Sequence, residues 1–237
     1  GDCLAEMFVA GSRNFSEQIL MQQNDGSVLP LEVKFKTAAV KEEEDTATLL
    51  FDADGDGDLD LYIGRGSGQY EPQHPWYQDQ LLTNDGNGVF SPVINGLPEM
   101  KTNTSVVKAA DFDGDGDLDL FIGSRVLPFA YPTADRSYIL RNDSSAEKIS
   151  FTDVTQEVNP TLEYEGLISD AIWSDFNSDF LPDLILASEW SPLRFFENSG
   201  GSLVEVTQTT GVHQDKGWWN SLAVADLDQD GDLDYIA

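Results

Sequence analysis

One nine-residue pattern occurs four times in this chain, and it constrains the fold more than any other feature. The copies read DADGDGDLD, DFDGDGDLD, DFNSDFLPD and DLDQDGDLD, and they begin at Asp52, Asp111, Asp175 and Asp226. Successive copies start 59, 64 and 51 residues apart. A repeat of this length is typical of architectures that use one supersecondary unit several times. The repeat therefore marks the structural unit from which the fold is built.

Short apolar stretches lie directly before and after every copy. They cover residues 48–51 and 61–63, 106–110 and 120–122, 171–173 and 184–187, and 222–225 and 235–237. Apolar stretches of this length on either side of a polar turn are typical of paired strands. Each copy is thus predicted to form the loop between two strands.

A third and a fourth strand are predicted further along each unit. The third strands and their turns lie at residues 80–88, 138–143 and 194–201, and the fourth strands at 89–93, 149–154 and 203–206. Asn, Asp and Gly in the turns supply the positive φ angles that tight hairpins need. The N-terminal segment fits the later part of the same unit, with residues 7–11 as a second strand, 18–26 as a third strand and turn, and no Asp loop of its own.

Such four-stranded meanders predict an all-β fold, a β-propeller whose blades pack face to face around an axis. The alternative is an open sandwich, which rarely shows this self-similarity. We expect one propeller region over residues 1–237, holding about four repeats of a seven-bladed ring. The repeats run approximately over residues 1–45 (partial), 46–103, 104–165, 166–216 and 217–237 (partial). The start at Gly1, without Met, suggests a fragment or a processed chain.

The acidic residues of each copy are spaced so that they can converge on one cation. Positions 1, 3, 5 and 9 offer side-chain oxygens, Gly at 4 and 6 permits a sharp turn, and the backbone carbonyl of position 7 adds a further ligand. This oxygen set indicates Ca²⁺, with up to four ions in the chain. The predicted metal-site residues are Asp52, Asp54, Asp56, Asp58, Asp60, Asp111, Asp113, Asp115, Asp117, Asp119, Asp175, Asn177, Asp179, Leu181, Asp183, Asp226, Asp228, Asp230, Asp232 and Asp234. The alternative is that the loops are only acidic, solvated turns.

The third copy indicates which position does not use its side chain. It keeps an oxygen-bearing residue at positions 1, 3, 5 and 9 but has Leu181 at position 7, so that side chain is not a ligand. An EF-hand loop would instead need Glu at position 12 and helices on both sides. Position 12 is Ile63 in the first copy and apolar in the others, which excludes an EF-hand.

Charge and cysteine content limit the possible partners. Thirteen basic against 43 acidic residues give a formal net charge of −30, which repels nucleic acid and anionic membranes. No apolar run reaches about 18 residues, so no membrane insertion is predicted, and no signal peptide is visible. Cys3 is the only cysteine, so an intrachain disulfide is impossible, and its side chain is expected to be buried.

At the Asp loops the chain resembles the FG-GAP/VCBS repeat family, the calcium-binding propeller repeats of integrin α-chain heads and of many secreted bacterial proteins. Residues 141–143 (RND), 151–155 (FTDVT) and 217–220 (GWWN) are similar to those of the cartilage-acidic-protein and ASPIC/UnbV-type subgroup. The chain departs from the family at Phe180 and Pro182 of the third loop, and it contains no FG…GAP string. The resemblance implies that calcium rigidifies the blade edge and that ligands bind the opposite face.

Two insertions, residues 65–78 and 125–136, both follow a second strand. In a meander the connection after strand two lies at the end away from the other connections, so both insertions are predicted to share the face away from the Asp loops. Their aromatic side chains are candidate contacts for a sugar or a protein. These candidates are Tyr70, His74, Trp76, Tyr77, Phe129 and Tyr131. The alternative is that they pack the insertions onto neighbouring blades. Trp218 and Trp219 are expected to fill the space between blades, and Trp190 to be a packing residue as well.

The predicted function is a non-enzymatic, calcium-binding module, secreted or at the cell surface, that mediates protein or carbohydrate binding in adhesion. Extracellular calcium modules bind with Kd values on the order of 10⁻⁴ to 10⁻³ M, which suits the calcium-rich exterior. A secreted carbohydrate-active enzyme, a lyase or hydrolase, on the same scaffold is the alternative, and an architectural segment of a larger adhesin is a third possibility. The only histidines, His74 and His213, lie in no recognisable catalytic or metal motif.

Overall fold

The computed structural model describes residues 6–30, 34–35, 41–145 and 147–237, and its main elements are β-strands. Cys3, and with it the expectation that its side chain is buried, lies outside these residues. The strands are β1 Glu6–Val9, β2 Gln18–Gln22, β3 Val28–Pro30, β4 Lys34–Phe35, β5 Asp45–Phe51, β6 Asp60–Arg65, β7 Gln80–Asn84, β8 Val89–Pro92, β9 Thr104–Ala110, β10 Asp119–Ser124, β11 Tyr138–Asn142, β12 Phe151–Asp153, β13 Ile168–Ser174, β14 Asp183–Ser191, β15 Arg194–Asn198, β16 Leu203–Glu205, β17 Gly217–Trp218, β18 Ala223–Ala225 and β19 Asp234–Ile236. The helical elements are one α-helix, α1 Thr155–Val158, and 3₁₀ turns at Pro75–Tyr77, Pro160–Tyr164 and Thr207–Thr209.

The strands form five sheets, four of them built on an antiparallel meander in chain order and the fifth a two-stranded hairpin. Sheet 1 contains β1–β3, sheet 2 contains β5–β8, sheet 3 contains β9–β12, sheet 4 contains β13–β16 and sheet 5 contains β18 and β19. The all-β class and the strand pair around each Asp loop are confirmed. Two additions were not predicted, since β4 pairs in parallel with β8 and β17 pairs with β14.

The second strand of each complete meander is buried on both faces. Alternate side chains of a strand point to opposite sides of the sheet. Accordingly, Leu61 and Ile63 of β6 pack with Ile19 of sheet 1, whereas Tyr62 packs with Leu120 of sheet 3. Each fully buried side chain of this size contributes roughly 1.5–3 kcal/mol to stability. The core is therefore a series of apolar layers between consecutive sheets, which explains why these strands are continuous apolar runs.

A hydrogen bond of the same kind joins the first strand of one sheet to the chain at or shortly before the first strand of the next. Thr46 Oγ1 donates to the carbonyl oxygen of Thr104 at 2.6 Å, and Ser105 Oγ donates to that of Ile168 at 2.6 Å. Ser169 Oγ donates to the carbonyl oxygen of Trp219 at 2.5 Å. The first two bonds hold the first strands of sheets 2, 3 and 4 side by side at equivalent positions.

The two ends of the sheets carry different connections. The Asp loops lie at one end, together with the turns between third and fourth strands, and the insertions lie at the other. Both insertions contribute to one cleft there, since Ser67 and Arg125 line it together with Thr46, Ser105 and Ser169 near the starts of three first strands. The prediction that the insertions share a face is confirmed, and we call this end the insertion face. Among the described residues, no helix has the length and apolar character to span a membrane.

Candidate functional sites

The Asp at position 1 organises the backbone of each loop. Asp52 accepts the N–H of Gly55 on Oδ1 at 2.8 Å and that of Gly57 on Oδ2 at 3.0 Å. Both glycines have positive φ angles, of 76° and 93°, which a residue without Cβ adopts at no steric cost. Asp111 makes the same two bonds. Asp175 and Asp226 keep the bond to the N–H of position 6, and Asp175 also accepts the N–H of position 5. The loops thus share one local conformation although their sequences differ.

The third loop keeps this conformation without glycine. Ser178 and Phe180 occupy positions 4 and 6 with φ angles of 64° and 70°. The left-handed region costs roughly 1–2 kcal/mol for a residue with a Cβ. Asn177 Nδ2 also donates to Asp179 Oδ2 at 3.0 Å, so this loop has an amide at position 3 where the other loops have a carboxylate.

Carboxylates converge in the other three loops. One oxygen from each member of a group lies within 4.8 Å of the others. The groups are Asp52, Asp54 and Asp60, then Asp111, Asp113 and Asp115, and then Asp226, Asp228 and Asp230. Opposite oxygens around one Ca²⁺ ion are at most about 5 Å apart, because each Ca–O distance is about 2.3–2.6 Å. The geometry and the all-oxygen donor set therefore fit a calcium ion.

Repulsion between the carboxylates of each group favours the binding of a cation. Burial raises the pKa of Asp54 above its usual value, and the charges of Asp56 and Asp52 raise it further. The pKa of Asp113 is raised for the same reasons, by burial and by Asp115 and Asp111. A bound divalent ion would relieve the repulsion, so ion binding and loop stability are coupled.

Position 9 has a second role that the sequence pattern did not indicate. Asp60 is fully buried, and it accepts the N–H of Ala53 at 2.9 Å and that of Asn84 on β7 at 2.8 Å. Burial is the main cause that raises its pKa to about 6, and it raises that of Asp119 to about 7. The position-9 carboxylate therefore ties its loop to the third strand, and it belongs to the converging group only in the first loop.

The side chains at position 7 lie outside the three converging groups. Asp58, for example, lies against the turn between β7 and β8, where a Cβ added to Gly86 would be 2.4 Å from its Oδ2. That position 7 does not use its side chain, as Leu181 indicated, stays a prediction.

An asparagine at the end of each third strand was missed as a site residue. Asn142 Nδ2 donates to the carbonyl oxygen of Leu118 in its own sheet's loop at 3.2 Å and to that of Ala53 in the preceding loop at 3.1 Å. Asn198 makes the same pair of bonds, to Pro182 and to Phe112. The available signal was the recurrence of Asn as the fifth residue of QLLTN, YILRN and RFFEN. The amides of Asn142 and Asn198 therefore connect consecutive Asp loops, whereas that of Asn84 bonds to Leu59 of its own loop.

The aromatic residues of the first insertion pack mainly against one another. The Tyr70 ring lies 4.6 Å from His74 and 4.7 Å from Trp76, measured between centroids. Tyr77 is 1% exposed, and its hydroxyl lies 2.9 Å from the carbonyl oxygen of Tyr70. Tyr77 therefore supports the insertion from inside and does not form part of a ligand-contacting surface.

The second insertion presents exposed aromatic rings. Phe129 and Tyr131 are 67% and 56% exposed. The structure brings Tyr131 to Trp190, whose Nε1 donates to the tyrosine hydroxyl at 2.8 Å, and Trp190 lies 4.8 Å from Trp218 between ring centroids. The expectation that Trp218 fills the space between blades is wrong, because Trp218 is 48% exposed and packs on the ring of Trp190, which is itself 59% exposed.

A model of the FG-GAP-like repeat matches residues 52–122 and 175–237. The two segments cover more than half of the chain and contain all four copies of the nonapeptide. No match was found among curated proteins.

Proposed function

The chain belongs to the FG-GAP-like repeat family, and from this premise we propose that it is a calcium-binding, non-enzymatic β-propeller module that acts in adhesion outside the cell. Repeats of this family are associated with adhesion-type modules. The observation that carries the proposal is the convergence of carboxylate oxygens in three of the Asp loops to within 4.8 Å. The calcium concentration outside the cell is high enough to occupy sites with Kd values on the order of 10⁻⁴ to 10⁻³ M.

The contacts between sheets support propeller closure. The equivalent hydrogen bonds from Thr46 and Ser105 place the first strands of sheets 2, 3 and 4 next to each other, as the strands nearest a propeller axis are. We propose that sheets 2, 3 and 4 are complete blades of a seven-bladed ring. On the residues quoted above, we further propose the cartilage-acidic-protein and ASPIC/UnbV-type subgroup.

The cleft on the insertion face supports binding rather than catalysis. Glycoside hydrolysis generally needs two carboxyl groups flanking the scissile bond. Among the described residues that line the cleft, one has a carboxyl group, Glu189, and Arg125 Nε donates to its Oε1 at 2.6 Å. A single, ion-paired carboxylate favours a protein or carbohydrate binding site over a glycoside hydrolase.

Calorimetric calcium titration, with thermal melts in excess chelator and in millimolar Ca²⁺, tests the calcium proposal. We expect up to four ions per chain, and each site stabilises the fold by about 1.4 kcal/mol at a calcium concentration ten times its Kd. Asp113→Ala should lower the number of calcium ions bound per chain by one. Asp215→Ala is the matched control, because Asp215 is exposed and outside the loops and its loss changes the net charge equally. Equal melting temperatures with and without calcium, together with no binding heat, would refute the proposal.

A further inference from the structure

Two bulky aromatic residues on the insertion face adopt a backbone conformation that disfavours them. Phe129 and Trp190 have φ angles of 61° and 63°. This left-handed region costs roughly 1–2 kcal/mol for a residue with a Cβ. Both rings are more than half exposed, so burial does not offset the cost. Backbone strain of this kind is concentrated at functional sites.

Hydrogen bonds fix the polar edges of the neighbouring rings. Trp190 Nε1 donates to the Tyr131 hydroxyl at 2.8 Å, and that hydroxyl donates to Glu189 Oε2 at 3.1 Å. The Glu189 side chain is 1% exposed and is also bonded by Arg125. The rings of Trp190 and Tyr131 are therefore held in place by their polar atoms, while large parts of their surfaces remain open to solvent.

These rings adjoin a cleft of about 500 Å³. Tyr131 and Trp218 line it, and Trp218 also contacts Trp190 edge to face. The rest of the lining is mainly polar, with side chains such as Asn103 and Asn220. We call this site, with Trp190 beside it, the aromatic cleft. It offers flat apolar surfaces next to hydrogen-bonding groups.

We propose that the aromatic cleft binds a neutral oligosaccharide, which deepens the adhesion function proposed above and rests on it. A sugar ring presents C–H groups that pack on an aromatic face, through dispersion and weak hydrogen bonds, and hydroxyl groups that pair with amide and guanidinium groups. The net charge of −30 repels an anionic ligand. Glu189 is already paired with Arg125, so the cleft does not present a free carboxylate to a cationic peptide.

The test uses the calcium-loaded chain and five defined probes. Cellohexaose, laminarihexaose, chitohexaose and maltohexaose are titrated separately at millimolar concentration, and hexalysine represents a cationic peptide. Tryptophan fluorescence and calorimetry report binding. We expect at least one of the four sugars to bind saturably and to change the tryptophan emission, and hexalysine not to compete.

The variant Trp190→Gly distinguishes whether the Trp190 ring contacts the sugar or only stabilises the fold. Glycine adopts the φ angle of 63° without strain, so the variant should melt at the same temperature as the parent or higher, while sugar affinity falls by about tenfold or more. Phe180→Gly is the matched control, since Phe180 has a φ of 70° and is 94% exposed but lies in the third Asp loop. It should keep full sugar affinity.

Three results would overturn the inference: no sugar binds, hexalysine binds in their place, or Trp190→Gly leaves sugar affinity unchanged. The calcium-dependent shift in melting temperature is measured in the same samples. A normal calcium shift without sugar binding refutes only the oligosaccharide site, whereas loss of the calcium shift refutes the proposed function.

Discussion

Replacing Asn198 by alanine tests whether the third-strand asparagines hold consecutive Asp loops together. Asn198 is 1% exposed, and its Nδ2 donates to the carbonyl oxygens of Phe112 at 2.7 Å and Pro182 at 3.0 Å. Its Oδ1 accepts the N–H of Gly201 at 3.0 Å. Phe112 belongs to the loop of sheet 3 and Pro182 to that of sheet 4, so the substitution removes a bond within the loop and a bond between sheets.

The expected loss of stability follows from these three bonds. A hydrogen bond contributes about 0.5–1.5 kcal/mol net, and a buried carbonyl group left without a partner costs about 1–3 kcal/mol. Asn198→Ala should therefore lower the free energy of unfolding by about 2–4 kcal/mol. Asn84→Ala is the matched control, because Asn84 occupies the same place in β7, but its Nδ2 donates to Leu59 of its own loop at 3.2 Å in an exposed setting. We expect a loss of about 1 kcal/mol or less in that variant.

Guanidinium unfolding of both variants and the parent in the presence of calcium provides the measurement. The difference between Asn198→Ala and Asn84→Ala reports the bond between sheets, since the two changes remove the same atoms from equivalent strand positions. Equal losses in the two variants would show that the bridge to Phe112 adds nothing, and the reasoning would fail.

Three further predictions concern single side chains. Burial raises the pKa of Asp79 to about 7, so this carboxyl group binds its proton more tightly in the folded state than in the unfolded state. Its contribution to stability should fall by up to about 4 kcal/mol as pH rises from 4 to 7. Over that pH range, the melting temperature of the parent should therefore change with pH at a different slope from that of Asp79→Asn. Tyr77→Phe removes the hydroxyl that lies 3.1 Å from the carbonyl oxygen of Ser67, so limited proteolysis should cut residues 65–78 faster, whereas unchanged cutting would contradict its supporting role. Phe180→Gly relieves a φ of 70° at an exposed position and should stabilise the chain by about 1 kcal/mol in a thermal melt, and a destabilised variant would show that the Phe180 ring has a packing role.

Much of the fold could be read from the sequence because its determinants are local. The strand pairs around the Asp loops follow from short apolar runs on either side of an Asp- and Gly-rich turn, and these features lie within about 20 residues of one another. The position-1 carboxylate bonds to N–H groups three to five residues further on, so the loop conformation is local as well. Leu181 predicted, without any coordinates, that position 7 does not use its side chain, and the position-7 carboxylates lie outside the three converging groups.

The short helix α1 and the parallel strand β4 were not predicted, since neither has a strong local pattern. Helix α1 spans only Thr155–Val158, and β4 spans only Lys34–Phe35 and depends on β8, more than 50 residues away, for its pairing. Elements of this length are stabilised by tertiary packing rather than by their own propensity.

Exposure of the aromatic residues was decided by the tertiary structure alone. Tyr77 and Trp190 are both aromatic residues in connecting segments, yet one is 1% and the other 59% exposed. Tyr131, Trp190 and Trp218 meet across separations of 59 and 28 residues, and Asn142 reaches Ala53 across 89. The sequence by itself determined the strands, the Asp loops and the end of the sheet at which each connection lies, because backbone geometry and side-chain alternation act over a few residues. The tertiary structure decided which carbonyl each asparagine meets and which rings face solvent, because those outcomes depend on how separate sheets pack against each other.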